Sequence, residues 1–100
     1  MSFLKKAASG VTRIECEDVL DISKAKSLHE QLKESLGQGS EVELNAANIQ
    51  RIDACVLQLF TAFFKAASTN SVAVRWVEPS DALLRSAKLL GLSSHLELNG

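Results

Sequence analysis

The apolar residues of this chain change period several times along its 100 residues, and that change restricts the fold more than any single motif. Residues 11–16 alternate, with Thr12, Ile14 and Cys16 on one face and Arg13 and Glu15 on the other, the period-two pattern of a half-buried strand. The short run from Glu17 to Asp21 predicts a second strand with Val19 inward. From Ser23 the apolar positions Ala25, Leu28, Leu32 and Leu36 fall three, four and four residues apart, which is one face of a helix. Gly37 then stands where a left-handed C-terminal cap belongs. Val42 and Leu44 alternate with Glu41 and Glu43, giving another strand after the Gly37-Gln38-Gly39-Ser40 turn.

The helix that follows is the most apolar part of the chain. Asp53 is expected to cap its start through a side-chain oxygen and to complement the helix dipole. Val56, Leu59, Phe60, Phe63 and Ala67 recur at helical spacing, and Leu57 and Phe64 widen the stripe. Either the stripe is wholly core, or Leu57 and Phe64 are exposed for self-association, which leaves a homodimer open. Residues 72–77 place Val72, Val74 and Trp76 on one face of a strand and Val77 on the other. Ser80, after Pro79, is an N-cap for a third helix with Leu83, Leu84, Ala87 and Leu90 inward, and Gly91-Leu92 forms a Schellman stop. Leu96 and Leu98 suggest a last short strand, and residues 1–10 a mobile tail or a short first strand. The order β-β-α-β-α-β-α-β predicts one α/β domain over residues 1–100, with helices packed on a mostly parallel mixed sheet of four to five strands.

Composition narrows the function. With 46% hydrophobic residues the chain fits one domain, and a domain of this size buries roughly 60–70% of its unfolded surface without disulfides or metal. Eleven Lys/Arg against twelve Asp/Glu give a net charge of −1, little basis for a nucleic-acid partner or an anionic membrane surface. No apolar run approaches the ~18 residues of a membrane span. The start MSFLKKAASG lacks the apolar core of a secretory leader, so a cytoplasmic location without membrane insertion is expected. Cys16 and Cys55 are too few and too far apart for a disulfide framework, and both read as small buried hydrophobes in a reducing compartment.

Catalytic constellations are poor. His29 lies beside Glu30 and Lys33 on the solvated side of the first helix, and His95 lies near the end, so both read as surface residues. Nothing marks a nucleophile elbow, a four-ligand zinc spacing or a glycine-rich phosphate loop, so neither an enzyme nor a cofactor is expected. The informative segment is 48–60, a strand exit leading into a helix whose first turn is Ala54, Cys55 and Val56. Small apolar residues there leave the first-turn N–H groups accessible, on a flat and weakly charged surface suited to packing against another protein. An ordinary loop-to-helix junction capped by Asp53 is the alternative.

The run Arg51-Ile52-Asp53-Ala54-Cys55-Val56-Leu57-Gln58-Leu59-Phe60 resembles the signature of STAS domains, the family of the bacterial anti-sigma-factor antagonists. Val19-Leu20-Asp21-Ile22 resembles the family's step before the first helix, and Val42-Glu43-Leu44-Asn45 the strand that normally ends in aspartate and leucine. Trp76-Val77-Glu78-Pro79-Ser80 and Leu89-Leu90-Gly91-Leu92 resemble the last strand and helix, especially of small single-domain members found with chemotaxis genes.

The resemblance implies a non-enzymatic interaction module whose partner is a kinase-like anti-sigma factor or a histidine-kinase-like chemotaxis or two-component protein. Family members are phosphorylated on a Ser/Thr directly after the aspartate, and about −1.5 to −2 charges at the contact surface abolish binding. Here that position is Ala54, which has no hydroxyl, and Asn45 stands where an aspartate is usual. The implied docking residues are Asn45, Asp53, Ala54, Cys55, Val56 and Gln58, unswitched by phosphorylation at Ala54. Ser23, Ser40 and Thr61 read as structural hydroxyls rather than substitute acceptors. The alternative within the family is the cytosolic STAS subunit of a phospholipid-transport ABC complex, although those subunits usually carry threonine after the aspartate.

Overall fold

A computed structural model describes residues 4–6, 11–37 and 41–98; the turn expected over 38–40, with Ser40, lies outside the described residues. The chain runs β1 (Leu4–Lys6), β2 (Val11–Glu15), β3 (Val19–Leu20), α1 (Ile22–Ser35), β4 (Glu41–Asn45), β5 (Arg51–Ile52), α2 (Ala54–Thr69), β6 (Ala73–Val77) and α3 (Asp81–Leu89). Four strands form a mixed sheet in the order β1-β2-β4-β6, and β3 and β5 form a separate two-stranded pair. β4 runs parallel to both neighbours, with Val11↔Glu41 through Glu15↔Asn45 on one side and Glu41↔Ala73 through Asn45↔Val77 on the other. β1 is antiparallel to β2, so the strand is the arrangement taken by residues 4–6.

One core joins the layers. Ile14, Cys16, Val42, Leu44 and Ala46 from the sheet's inner face are buried with Leu28 and Leu32 of α1 and Leu83 and Ala87 of α3. The wide stripe of α2 is core throughout, because Leu57 is 0% and Phe64 6% exposed. Trp76 sits against this helix, edge-on to Phe60 at 5.1 Å between ring centres and stacked on Phe64 at 5.8 Å. Its indole N–H donates to the Leu96 carbonyl at 2.9 Å, so the half-buried ring has its one polar atom paired. Thr12 also faces inward, 0% exposed, and its hydroxyl has no partner among the described residues.

The outer face of the sheet is polar. Glu43, in the middle strand, is 5% exposed and lies between two arginines. Arg13 Nε donates to its Oε1 at 2.7 Å and Arg75 Nε to its Oε2 at 3.1 Å. The Arg75 guanidinium, and then that of Arg13, hold the Glu43 carboxyl below its ordinary value against the opposing effect of burial.

Local chemistry explains where the elements end, and in several places corrects the sequence reading. Ser80 caps α3 by accepting the Leu83 N–H at 3.2 Å. Gly91 has φ +70°, with Gly91 N–H on the Lys88 carbonyl at 3.1 Å and Leu92 N–H on that of Ala87 at 2.8 Å, the complete Schellman pair. Gly37 is not in the left-handed region, so the first helix stops without that device. In β3 it is Leu20, 0% exposed, that faces inward, while Val19 is half-buried. Leu90 is 48% exposed and does not join the inner side of α3, because the helix has already passed into its cap there. The expected strand at Leu96 and Leu98 is a coiled turn instead, with Leu96 N–H bonded to the Leu92 carbonyl at 3.0 Å and Leu98 N–H to that of Ser93 at 2.8 Å. The alternation there comes from Leu96 turning into the core, not from an extended backbone.

Candidate functional site

The parallel pair β3–β5 sets Val19 beside Arg51 and Leu20 beside Ile52, and so brings the starts of α1 and α2 next to each other. Asp53 N–H donates to the Leu20 carbonyl at 3.0 Å, which places Asp53 alongside the end of β3. Asp21 and Asp53 are thus the N-caps of neighbouring helices, but they work differently. Asp21 accepts from Ser23 N–H at 3.0 Å and from the Ser23 hydroxyl. The Ser23 hydroxyl bond leads in holding its carboxyl below the ordinary value, helped by the Ser23 N–H bond and by the charges of Lys24 and Arg51. Ser23 is therefore committed to the cap, and α1 begins one residue before it.

Asp53 makes no side-chain cap, contrary to the sequence reading. Its carboxylate instead accepts from Arg51 Nε at 3.2 Å. The backbone carbonyl of Asp53 accepts from Val56 and Leu57 N–H at 3.0 and 3.1 Å, so the helix starts correctly without the side chain. Arg51 lies between the two aspartates, paired with Asp53 and acting through its charge on Asp21.

The residues named from sequence divide into three sets. Ala54, Cys55 and Gln58 are exposed, and Asp53 is half-buried beside them. Val56 is 0% exposed and belongs to the core under this edge, so it does not present itself to a partner. Asn45 is held elsewhere: its Nδ2 donates to Glu15 Oε1 at 3.2 Å and its Oδ1 accepts from Ala47 N–H at 3.1 Å. Those contacts fix it to the outer face of the sheet and the following turn, not to the start of α2. Thr61 donates its hydroxyl to the Leu57 carbonyl at 2.9 Å, the back-bond of a helical threonine.

Two residues were missed. Ile22, the first residue of α1, is 71% exposed, and Arg51 pairs with Asp53 while its charge acts on Asp21. The signal for Ile22 was present, since it lies off the Ala25-Leu28-Leu32-Leu36 stripe. The cysteines also separate. Cys16 is buried, and burial, with the Glu15 charge adding to it, pushes its thiol up to about 12; Cys55 is exposed on the first turn of α2. His29 and His95 are exposed, and among the described residues no group of three or more His, Cys, Asp and Glu could hold a metal ion.

The architecture is that of a small α/β domain displaying paired helix starts on a rim. A family model described as "Mlab, STAS domain" matches residues 4–98, and the chain belongs to the STAS family. Solved structures agree on the fold. The anti-sigma factor antagonist SpoIIAA in its unphosphorylated form superposes with a TM-score of 0.78 at 14% identity, over 94% of this chain and 84% of that one. An anti-sigma factor antagonist from Mycobacterium paratuberculosis gives 0.76 at 14% identity, over 94% and 80%. The protein TM1081 gives 0.78 at 17% identity, over 97% and 78%. No curated protein matches the chain in sequence.

Proposed function

We propose that the chain is a non-enzymatic docking module that binds a bacterial signalling protein through the start of α2 in the cytoplasm. Its partner is a kinase-like anti-sigma factor or a chemotaxis or two-component kinase, and docking is unswitched by phosphorylation at the position after Asp53. The observation that carries this reading is the first turn of α2, where Ala54 and Cys55 are exposed on a helix whose side-chain cap is drawn away to Arg51. Beneath it, Val56 and Leu57 are wholly buried, so the edge is a firm surface rather than a mobile loop end. Ala54 has no oxygen to receive a phosphoryl group, and the neighbouring Cys55 and Asp53 are not hydroxyl acceptors.

An Ala54→Glu variant tests it. The position is exposed and lies at a helix N-terminus, where a carboxylate is favoured, so the fold is expected to be unchanged by circular dichroism. Affinity for the partner recovered by co-purification is expected to fall at least about tenfold, because an unmatched charge enters a docked surface. Unchanged affinity in a folded variant places the interface elsewhere. The second reading, an ABC-transporter subunit, is the other role that the resemblance to STAS domains implies, and membership of that family is compatible with it. Co-purification of an ABC ATPase and permease rather than a kinase selects it.

A further inference from the structure

The two edges of the four-stranded sheet differ. β1 is three residues long and two of them are lysines, the short and charged kind of edge that discourages pairing with another chain. β6, at the other edge, matches β4 residue for residue from Ala73 to Val77, with no bulge, no lysine and no proline. The Val77 carbonyl accepts from Ala46 N–H at 3.0 Å, which turns the backbone groups of Ala73, Arg75 and Val77 toward β4. Those of Val74 and Trp76 therefore point away from the sheet, and among the described residues nothing bonds them. Their donors and acceptors repeat along the edge at about 7 Å, the two-residue step of a strand.

A groove of about 950 Å³ is lined by β6 through Val74 and Trp76, by α3 through Leu84 and Lys88, and by the last coil through Glu97 and Leu98. Val74, Trp76, Leu84 and Leu98 stay half-buried there. Lys88 and Glu97 are exposed, and among the described residues neither has an ion-pair partner. Arg75, the third charged residue of the groove, is taken up by Glu43. Glu97 also borders a second hollow with Val72, Ala73 and Val74, one that Lys88 does not reach, so the two charges stand apart.

We infer that the β6 edge takes an extended segment of another protein as an added strand. Its backbone pairs with Val74 and Trp76, and the side chains it turns inward, at every second position, are apolar and cover Trp76, Leu84 and Leu98. An acidic residue of the segment meets Lys88 and a basic one meets Glu97. Only a strand supplies donors and acceptors at the step that this edge presents. None of Asp53, Ala54, Cys55 and Gln58 lines the groove, so the inference stands apart from docking at the start of α2.

The probe is a synthetic peptide of about eight residues, alternating valine and threonine between a terminal lysine and a terminal glutamate, with a second version whose ends are exchanged. Trp76 is the chain's one tryptophan and lies in the groove, so its emission reports occupancy. One version is expected to bind more tightly, with a Kd below about 1 mM. Lys88→Glu, at an exposed position, is expected to weaken that version at least about fivefold. In the free protein, hydrogen exchange followed by NMR is expected to be fast at the Val74 and Trp76 amides and slow at Arg75 and Val77. Saturating peptide is expected to slow the first pair at least about tenfold. Val74→Pro removes an edge donor, spares those facing β4, and is expected to abolish the emission change in a protein that still melts cooperatively. Absence of binding by both peptides overturns the inference, as does binding that leaves the Val74 and Trp76 amides unprotected or that a folded Val74→Pro variant retains in full. Amides already protected in the free protein, and more so at higher concentration, overturn it in favour of a second copy pairing across the edge.

Discussion

The buried hydroxyl of Thr12 gives the sharpest test of the packing. Thr12 sits on the inner face of β2 with the core residue Ile14, the intervening Arg13 pointing outward, and 0% of the Thr12 surface is exposed. Its Oγ1 has no hydrogen-bond partner among the described residues. An unsatisfied buried hydroxyl costs about 1–3 kcal/mol in lost hydration. Thr12→Val removes that cost, keeps the β-branched shape that suits a strand, and replaces the oxygen by a methyl group of similar size. Set against a small allowance for imperfect fit, the variant is expected to be more stable by about 1–2 kcal/mol. Thr12→Ser keeps the orphan hydroxyl and deletes the methyl, so it is expected to lose about 1 kcal/mol, with opposite sign. Urea titration followed by circular dichroism measures both, and in a domain this size each 1 kcal/mol moves the melting midpoint by about 4–8 °C. A Thr12→Val variant less stable than wild type, with its spectrum unchanged, refutes the orphan: the hydroxyl must then be bonded in solution.

Three further outcomes follow from the same structure. Because Arg75 and Arg13 lower the folded pKa of Glu43, its contribution is complete above the ordinary carboxylate range and is lost as pH falls through the lower folded value. Urea midpoints of Glu43→Gln measured from neutral to acid pH are expected to lie below wild type near neutrality and to converge with it at low pH; parallel curves would show that the triad carries no linkage. In native protein a thiol reagent is expected to modify Cys55 quickly and Cys16 only on unfolding, since thiolate is the reactive form and burial pushes the Cys16 thiol up to about 12. Two equally fast equivalents would contradict the buried placement. Gly91→Ala is expected to cost about 1–2 kcal/mol by thermal melting although space beside it is open, because φ is +70°. Gly37→Ala is expected to be neutral or up to about 1 kcal/mol stabilising, with only the Glu34 carbonyl nearby at 3.7 Å. Equal losses at the two glycines would mean that the first helix ends in a left-handed cap after all.

Periodicity carried most of the fold, because a period of two or of 3.6 reports which face meets a core, whatever the core is made of. That is why Thr12, Ile14 and Cys16 were placed inward correctly, and why the stripe from Val56 to Ala67 was recognised. The same signal was weak where elements are two residues long. β5 holds only Arg51 and Ile52, too short for any period, yet it decides the geometry of the rim by pairing with β3. At Leu96 and Leu98 period two was present but misleading, since a turn of five residues can bury one leucine by curling over Trp76. Both failures have one cause: a short segment's shape is set by its tertiary partner.

The start of α2 shows how this bears on function. From sequence, Asp53 satisfies every local rule for an N-cap, and the rules succeed at Asp21, thirty-two positions earlier, where Ser23 answers the carboxylate. At Asp53 a competitor stands two residues back. Arg51 is turned to the same side of the chain by β5, and its guanidinium offers a charged donor at 3.2 Å where the helix offers a neutral one. The helix still begins at Ala54 because the backbone bond from Asp53 to Leu20 and the carbonyl bonds to Val56 and Leu57 define its first turn. Capping by the side chain is thereby released from a structural duty, and the rim keeps an aspartate and an arginine whose pairing can change without unwinding α2. A cap that held the helix would tie any change at this rim to the stability of the fold; separating the two lets Ala54 and its neighbours vary at the surface while Val56 and Leu57 hold the core.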